Sequence, residues 1–195
     1  MIGKTAAHYL RVLRGAELPQ TQTSEVEQAV LCTHLRDRKR IVEIGVFEGF
    51  TTRVLAENSD PDAIIYGIDP FFGGRIGISW GMLIAQFYNK SHLASRKVRF
   101  VRAHSPEVGD RVPTPVDYVF IDGDHSLSGI KADWAFWSER LGPGGIIVLH
   151  DSLLTPDKPP GYTLGSIEYF RDHVRHDARF EIVKQQASLT VLRKR

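Results

Sequence analysis

Two short stretches carry side chains that can hold a cation or move a proton: Asp122-Gly123-Asp124-His125 and His150-Asp151-Ser152. Carboxylates and imidazoles are the usual groups of general acid–base catalysis. An imidazole, with a reference pKa of about 6.5, is suited to removing a proton near neutral pH. Each stretch follows a run of β-branched and apolar residues, Val116–Ile121 and Ile146–Leu149, which reads as a buried strand. Two parallel strands would therefore deliver Asp122, Asp124, His125, His150 and Asp151 to one carboxyl edge of a sheet, where ligand sites of open α/β sheets form.

A third stretch, Ile41–Thr52, reads as strand, glycine turn and helix. Its spacing is Glu43-x-Gly45-x-x-x-Gly49, which lacks the third glycine of the G-x-G-x-x-G dinucleotide fingerprint and so argues against a nicotinamide oxidoreductase. The carboxylates of Glu43 and Glu48 would repel a pyrophosphate and suit a ligand bearing positive charge, such as the sulfonium and ammonium groups of S-adenosylmethionine. Glycine at this turn is expected to let a ligand approach the backbone closely. Asp69 ends the next strand, Ala63–Ile68, where an acidic side chain can accept hydrogen bonds from ribose hydroxyls.

The elements that must position these groups follow from periodicity. Thr5–Arg14 places Tyr9, Val12 and Leu13 at helical spacing, and Ser24 with Glu27 forms a capping-box pattern opening a helix to about Leu35. On that second helix Val26, Ala29, Val30 and Thr33 are expected to share the inner face. Trp80–Leu93 reads as one helix with Leu83, Phe87 and Ile84 inward, and Val98–Val101 as the third strand. Ile130, Trp134, Trp137 and Leu141 form an apolar stripe on the helix capped by Ser126 or Ser128, with the tryptophans in the core. The glycines at 142–145 end that helix. Residues 71–80 and 153–165 are expected to be loops shaping a pocket. Ser166–Val174 is a helix, and Phe180–Gln185 with Ser188–Leu192 make an antiparallel hairpin.

The totals agree with one α/β domain over residues 1–195, with helices in 1–36 and the core in 41–192. The chain has 195 residues, 42% hydrophobic and 25% charged, and a formal charge of +2. That charge and the lack of a basic stripe speak against nucleic acid, and no segment is long and apolar enough for a membrane span. The single cysteine, Cys32, excludes an internal disulfide and fits a reducing compartment, so a cytoplasmic location is expected.

Taken together, Glu43-x-Gly45-x-x-x-Gly49-Phe50-Thr51, the segment IDGDHS with its helix, and PGGIIVLHDS resemble the class I S-adenosylmethionine-dependent methyltransferases. The likeness is to bacterial small-molecule O-methyltransferases of the macrolide-sugar and catechol type. It spans Ile41 to Leu192 and implies a Rossmann-like fold: a seven-stranded, mostly parallel sheet with a C-terminal antiparallel hairpin. The resemblance implies Glu43, Gly45, Gly49 and Thr51 around the methionine part of S-adenosylmethionine. It places Asp69 at the ribose, Ser105 near adenine and Asp122 at the methionine ammonium. It implies His125 as general base for a small-molecule hydroxyl acceptor. Many such enzymes use a divalent metal such as magnesium or manganese, and the resemblance would assign it to Asp122, His150 and Asp151. His150 stands where relatives carry an oxygen donor, which shifts the expected preference from magnesium toward manganese, iron or zinc. The extra N-terminal helices imply a cover over the site or a homodimer contact. A methyltransferase fold kept as a non-catalytic binding partner is the alternative outside enzymology.

Overall fold

The computed structural model describes residues 5–74, 77–159 and 161–195. Seven strands form one sheet: β1 (Arg40–Ile44), β2 (Ile64–Asp69), β3 (Val98–Arg102), β4 (Val116–Ile121), β5 (Leu141–Leu149), β6 (Phe180–Gln186) and β7 (Leu189–Lys194), in the order β3-β2-β1-β4-β5-β7-β6. Strands β1 to β5 run parallel, and β7 pairs antiparallel with both β5 and β6. The predicted sheet and hairpin are thus present. The chain leaves β1 for β2 and β3, then returns to place β4 on the other side of β1. That reversal opens a crevice beyond the carboxyl ends of β1 and β4.

The strands read as continuous apolar runs because both faces are covered. Alternation within β4 shows it: Val119 and Ile121 join the layer containing Trp134, Trp137 and Phe170, whereas Tyr118 and Phe120 join the layer containing Val30, Leu31 and Leu55. The helices are α1 (Ala6–Leu13), α2 (Glu25–Thr33), α3 (Phe50–Asn58), α4 (Trp80–Tyr88), α5 (Lys90–Ala94), α6 (Leu127–Arg140) and α7 (Gly165–Asp172). Helix α1 packs on α4, and α2 on α3.

Several local expectations are corrected. Helix α2 ends at Thr33, and its buried residues are Glu27, Val30 and Leu31; Val26, Ala29 and Thr33 face solvent. The capping box is present, with Ser24 and Glu27 bonding reciprocally. The Trp80–Leu93 segment breaks at Asn89, the C-cap of α4, whose side chain donates to the carbonyls of Gly49 and Ala85. Its buried residues are Gly81, Ile84 and Ala85, while Leu83 and Phe87 are only partly covered. Ser126, not Ser128, caps α6, and β5 begins at Leu141, so the glycines at 142–145 lie within the strand. Arg75 and Ile76 in the first predicted pocket loop, and Pro160 in the second, lie outside the described residues.

Candidate active site

Hydrogen bonds of the sheet continue past the last strand residues and set the site's frame. Asp122 N donates to Ile44 O at 2.9 Å, Gly45 N to Ile68 O at 2.9 Å, and His150 N to Ile121 O at 3.0 Å. These bonds hold the ends of β2, β1, β4 and β5 in line. Beyond them lies a cavity of about 670 Å³, within the range of small-molecule sites. Among the predicted site residues, Gly45, Thr51, Asp69, Ser105 and Asp122 line it.

The loop after β1 is held by Asp69. Its Oδ2 accepts from the backbone of Val46 and Phe47, both at 3.0 Å, and its Oδ1 accepts from Phe71 N at 2.6 Å. Phe47 and Phe71 both have left-handed backbone, with φ of 56° and 45°, so the carboxylate stabilises two residues in a costly conformation. Protein packing by itself requires both glycines. Gly45 has φ +89°, and a Cβ there would meet the Asp122 carbonyl oxygen at 2.0 Å. Gly49, at φ +78°, would put a Cβ 2.9 Å from Ala85 of α4. It does not line the cavity, and neither does Glu43.

Glu43 is fully buried in β1, bonded through one oxygen to the Thr52 hydroxyl, with Oε1 unpartnered. Burial raises its pKa well above the ordinary carboxylate value; the Thr52 hydrogen bond offsets part of this, and the Asp122 and Asp69 charges add to it.

Ser105 borders the cavity below β3, and its hydroxyl accepts from Trp137 Nε1 at 2.7 Å. Next to it is Asp133, buried on α6 and part of the same cavity wall. Burial pushes the Asp133 carboxyl up to about 6, with a hydrogen bond to Ser105 acting against the shift and the Asp124 charge acting with it. The sequence reading missed Asp133. Its signal was an acid in the midst of the Ile130, Trp134, Trp137 stripe. The Gln20–Gln22 connection also closes one side, as a covering N-terminal segment would.

Asp122 belongs to both the cavity and a second group of side chains beside it. His125 Nε2 lies 3.3 Å and His150 Nδ1 2.8 Å from Asp122 Oδ1, and the three donor atoms lie within 4.8 Å of one another. His125, with its side chain 23% exposed, is the accessible member; His150 is 5% exposed. Asp151 Oδ2 is 3.7 Å from His150 Nδ1, and Asp151 itself has φ of 45°. His125 therefore approaches Asp122 more closely than Asp151 approaches His150.

The charges in this group are strongly coupled. Burial alone would raise Asp122, but the His125 and His150 imidazoles outweigh it and hold the carboxyl below its ordinary value. Burial would likewise lower His150; the Asp122 and Glu27 carboxylates outweigh it and raise the imidazole to about 10. One positive charge is thus favoured between these carboxylates. Glu27 was read from sequence only as a helix cap. It lies 3.8 Å from His150 Nε2, and its carboxyl is held far below its ordinary value: burial opposes this, and His150, Ser188 and Ser24 outweigh it.

A mostly parallel sheet with this strand order and antiparallel β7, a cavity at its switch point, and an acid at the carboxyl end of each of β2 and β4 define a Rossmann-like methyltransferase arrangement. The comparisons with known proteins agree. A family model described as "Methyltransferase domain" matches residues 42–152, more than half of the chain. The chain belongs to that methyltransferase-domain family.

An uncharacterized protein, R132, of Acanthamoeba polyphaga mimivirus is 27% identical over 121 residues, which are 61% of this chain and 54% of that protein. The match thus spans about half the length of that relative. A crystal structure from Corynebacterium glutamicum superposes with a TM-score of 0.72 at 19% identity, covering 99% of this chain and 92% of that one. The O-methyltransferase TomG of Streptomyces achromogenes, involved in tomaymycin synthesis and solved with SAM, gives a TM-score of 0.65 at 19% identity, covering 96% and 88%. Among the described residues no helix is long and apolar enough to cross a membrane.

Proposed function

We propose that the protein transfers the methyl group of S-adenosylmethionine to a hydroxyl oxygen of a small molecule, with His125 taking the hydroxyl proton. The observation that carries this reading is that one carboxylate, Asp122, both lines the cavity and contacts the His125 imidazole at 3.3 Å. A cofactor site and a base are thereby held in fixed relation, which methyl transfer by in-line displacement needs.

The residues fit the cofactor. The cavity is large enough, and Asp69 and Asp122 offer carboxylates to a cationic ligand on two sides. Asp69, which lines the cavity at the end of β2, is suited to the ribose hydroxyls. Ser105 and Asp133 give the far end its polar groups. Thr51, at the start of α3, is suited to the methionine part. When bound, S-adenosylmethionine supplies an electrophilic methyl group. Asp122 orients His125, and the partly exposed imidazole receives the acceptor's proton and passes it to solvent. A small acceptor suits the access beside His125 and the strongly exposed Phe72 of the cavity wall. The TomG likeness favours oxygen as the methylated atom.

The test is incubation with methyl-labelled S-adenosylmethionine and a panel of phenols, catechols and sugar alcohols, with product NMR. Label on an oxygen, lost in His125→Ala, supports the reading. Label found only on nitrogen or carbon contradicts it.

A further inference from the structure

Helix α1 and the chain after it are tied to the loop after β1 through one buried imidazole. His8 is 2% exposed, and both its ring nitrogens face carboxylates: Nδ1 lies 2.7 Å from Glu17 Oε2 and Nε2 lies 2.9 Å from Glu48 Oε2. A neutral imidazole has one N–H, so only the protonated ring donates to both. Glu48 Oε2 also accepts from Gln20 N at 2.7 Å, and its Oε1 is buried with no hydrogen-bond partner among the described residues. Glu17 in turn accepts from Arg11 Nε at 2.6 Å.

Residues 17–23 run from this cluster along the cavity, and Gln20, Thr21 and Gln22 line it. Little apolar surface holds them. Within that stretch only Pro19 and Thr23 are buried, and Leu18 is 66% exposed. Further on, the Thr21 and Thr23 hydroxyls lie 3.4 and 3.3 Å from the Thr51 hydroxyl of α3. The shorter bonds at Glu48 are charge-assisted, a kind roughly twice as strong as neutral ones.

We propose that His8 and Glu48 form a proton-operated latch: with the imidazole protonated, residues 17–23 are held as a strap along the cavity, and loss of that proton frees the strap and speeds cofactor exchange. The last clause rests on the reading of the cavity as an S-adenosylmethionine site; the latch itself does not. Without the proton, a ring lone pair faces a carboxylate oxygen, and the buried Glu48 is relieved by admitting water. Burial would lower the His8 pKa, but the hydrogen bonds to Glu48 and Glu17 outweigh it and raise it above the ordinary 6.5. The latch therefore holds fully at low pH and is lost as pH rises through the folded-state value. The charged groups facing His8 are Glu17 of the strap and Glu48 of the loop, with Arg11 of its own helix acting through Glu17. Helix α4, packed on α1, has no charged residue.

The experiment is hydrogen exchange of the full chain by quenched-flow labelling, read as protection factors of single amides at about pH 6 and about pH 9. Stopped-flow dissociation of S-adenosylhomocysteine is measured under the same conditions. Protection of the Gln20 amide should fall about 10-fold or more at the higher pH, the scale of losing a hydrogen bond to a charged group. That of Gly45, bonded to Ile68 O in the sheet, should hold. Dissociation should quicken by a similar factor. His8→Gln should show low Gln20 protection and fast dissociation at both pH values. Glu48→Gln, which keeps an acceptor for Gln20, should lose the pH response as well.

Unchanged Gln20 protection in the wild type would overturn the proposal, and that comparison needs no variant. So would an equal fall at Gly45, which marks general loosening, or a pH response that survives in a folded His8→Gln. Loss of Gln20 protection with unaltered dissociation would overturn the gating of exchange. A full exchange response without S-adenosylhomocysteine binding supports the latch and contradicts the cofactor reading, so the two failures are distinguishable.

Discussion

The loop after β1 and the ends of β4 and β5 lie on the same sheet edge but are assembled differently. Around the loop, backbone does most of the work: three N–H groups converge on Asp69, and Gly45 admits the Asp122 carbonyl where a Cβ would clash. At the β4 and β5 ends, side chains do it: Asp122, His125 and His150 meet there, with Glu27 arriving from α2. The first region is a shape fixed before any ligand arrives. The second is a concentration of charge whose members balance one another. A ligand-sized hollow therefore depends on steric fit, and the chemistry beside it on electrostatics.

The largest effect should come from breaking the steric region. Gly45→Ala places a methyl group 2.0 Å from backbone oxygen at φ +89°. It is expected to cost about 3–5 kcal/mol of stability, the range of severe core and backbone changes, as measured by urea unfolding. A loss below 1 kcal/mol would show that the two strand ends are not rigidly apposed. Breaking the charged region should leave the fold intact. His125→Ala is expected to lower turnover about 10²- to 10⁴-fold while cofactor affinity stays within error. An equal loss of affinity would mean that the two regions are not separable.

Smaller effects sharpen the boundary between them. Asp69→Ala should weaken cofactor binding by about 1.5–3 kcal/mol, the scale of hydrogen bonds to a charged group. Its three orphaned N–H groups should also lower the melting temperature. Asp133 is the acid on the far wall, and its pKa near 6 exceeds the ordinary 3.8. The native state thus holds its proton where the unfolded chain has lost it. Stability should fall as pH rises from about 4 to 6 and level off above. Asp133→Asn removes that loss, so it should stabilise the protein by roughly 1–3 kcal/mol at pH 7 and by almost nothing at pH 4. Parallel pH-stability curves for the two proteins would contradict the assignment.

Much of this was legible in the residues. The strands and the closing hairpin followed from apolar runs and turn residues, and the seven-stranded, mostly parallel arrangement from the resemblance to methyltransferases. Asp122, His125 and His150 were visible as chemistry at strand ends. Glu27 was not, since its helix face was assigned from apolar spacing, which put Val26 and Ala29 inward; the structure instead buries Glu27 against Ser188, 161 residues away. Such a partnership leaves no local pattern. Glu43 and Gly49 belong to the glycine-loop spacing yet lie behind the cavity wall, because spacing identifies a turn and not which side of it faces a ligand. Asp133 was hidden for a related reason: apolar periodicity marks a helix's inner stripe and cannot register an acid that shares it.

The most direct measurement is calorimetric titration of the purified chain with S-adenosylhomocysteine, in wild type and in Asp69→Ala. A single site of micromolar-range affinity in the wild type, weakened about 10- to 150-fold in the variant, is the result expected from the cavity and its carboxylates. A folded wild-type chain that gives no binding heat at several temperatures would contradict the assignment of the cavity to this cofactor.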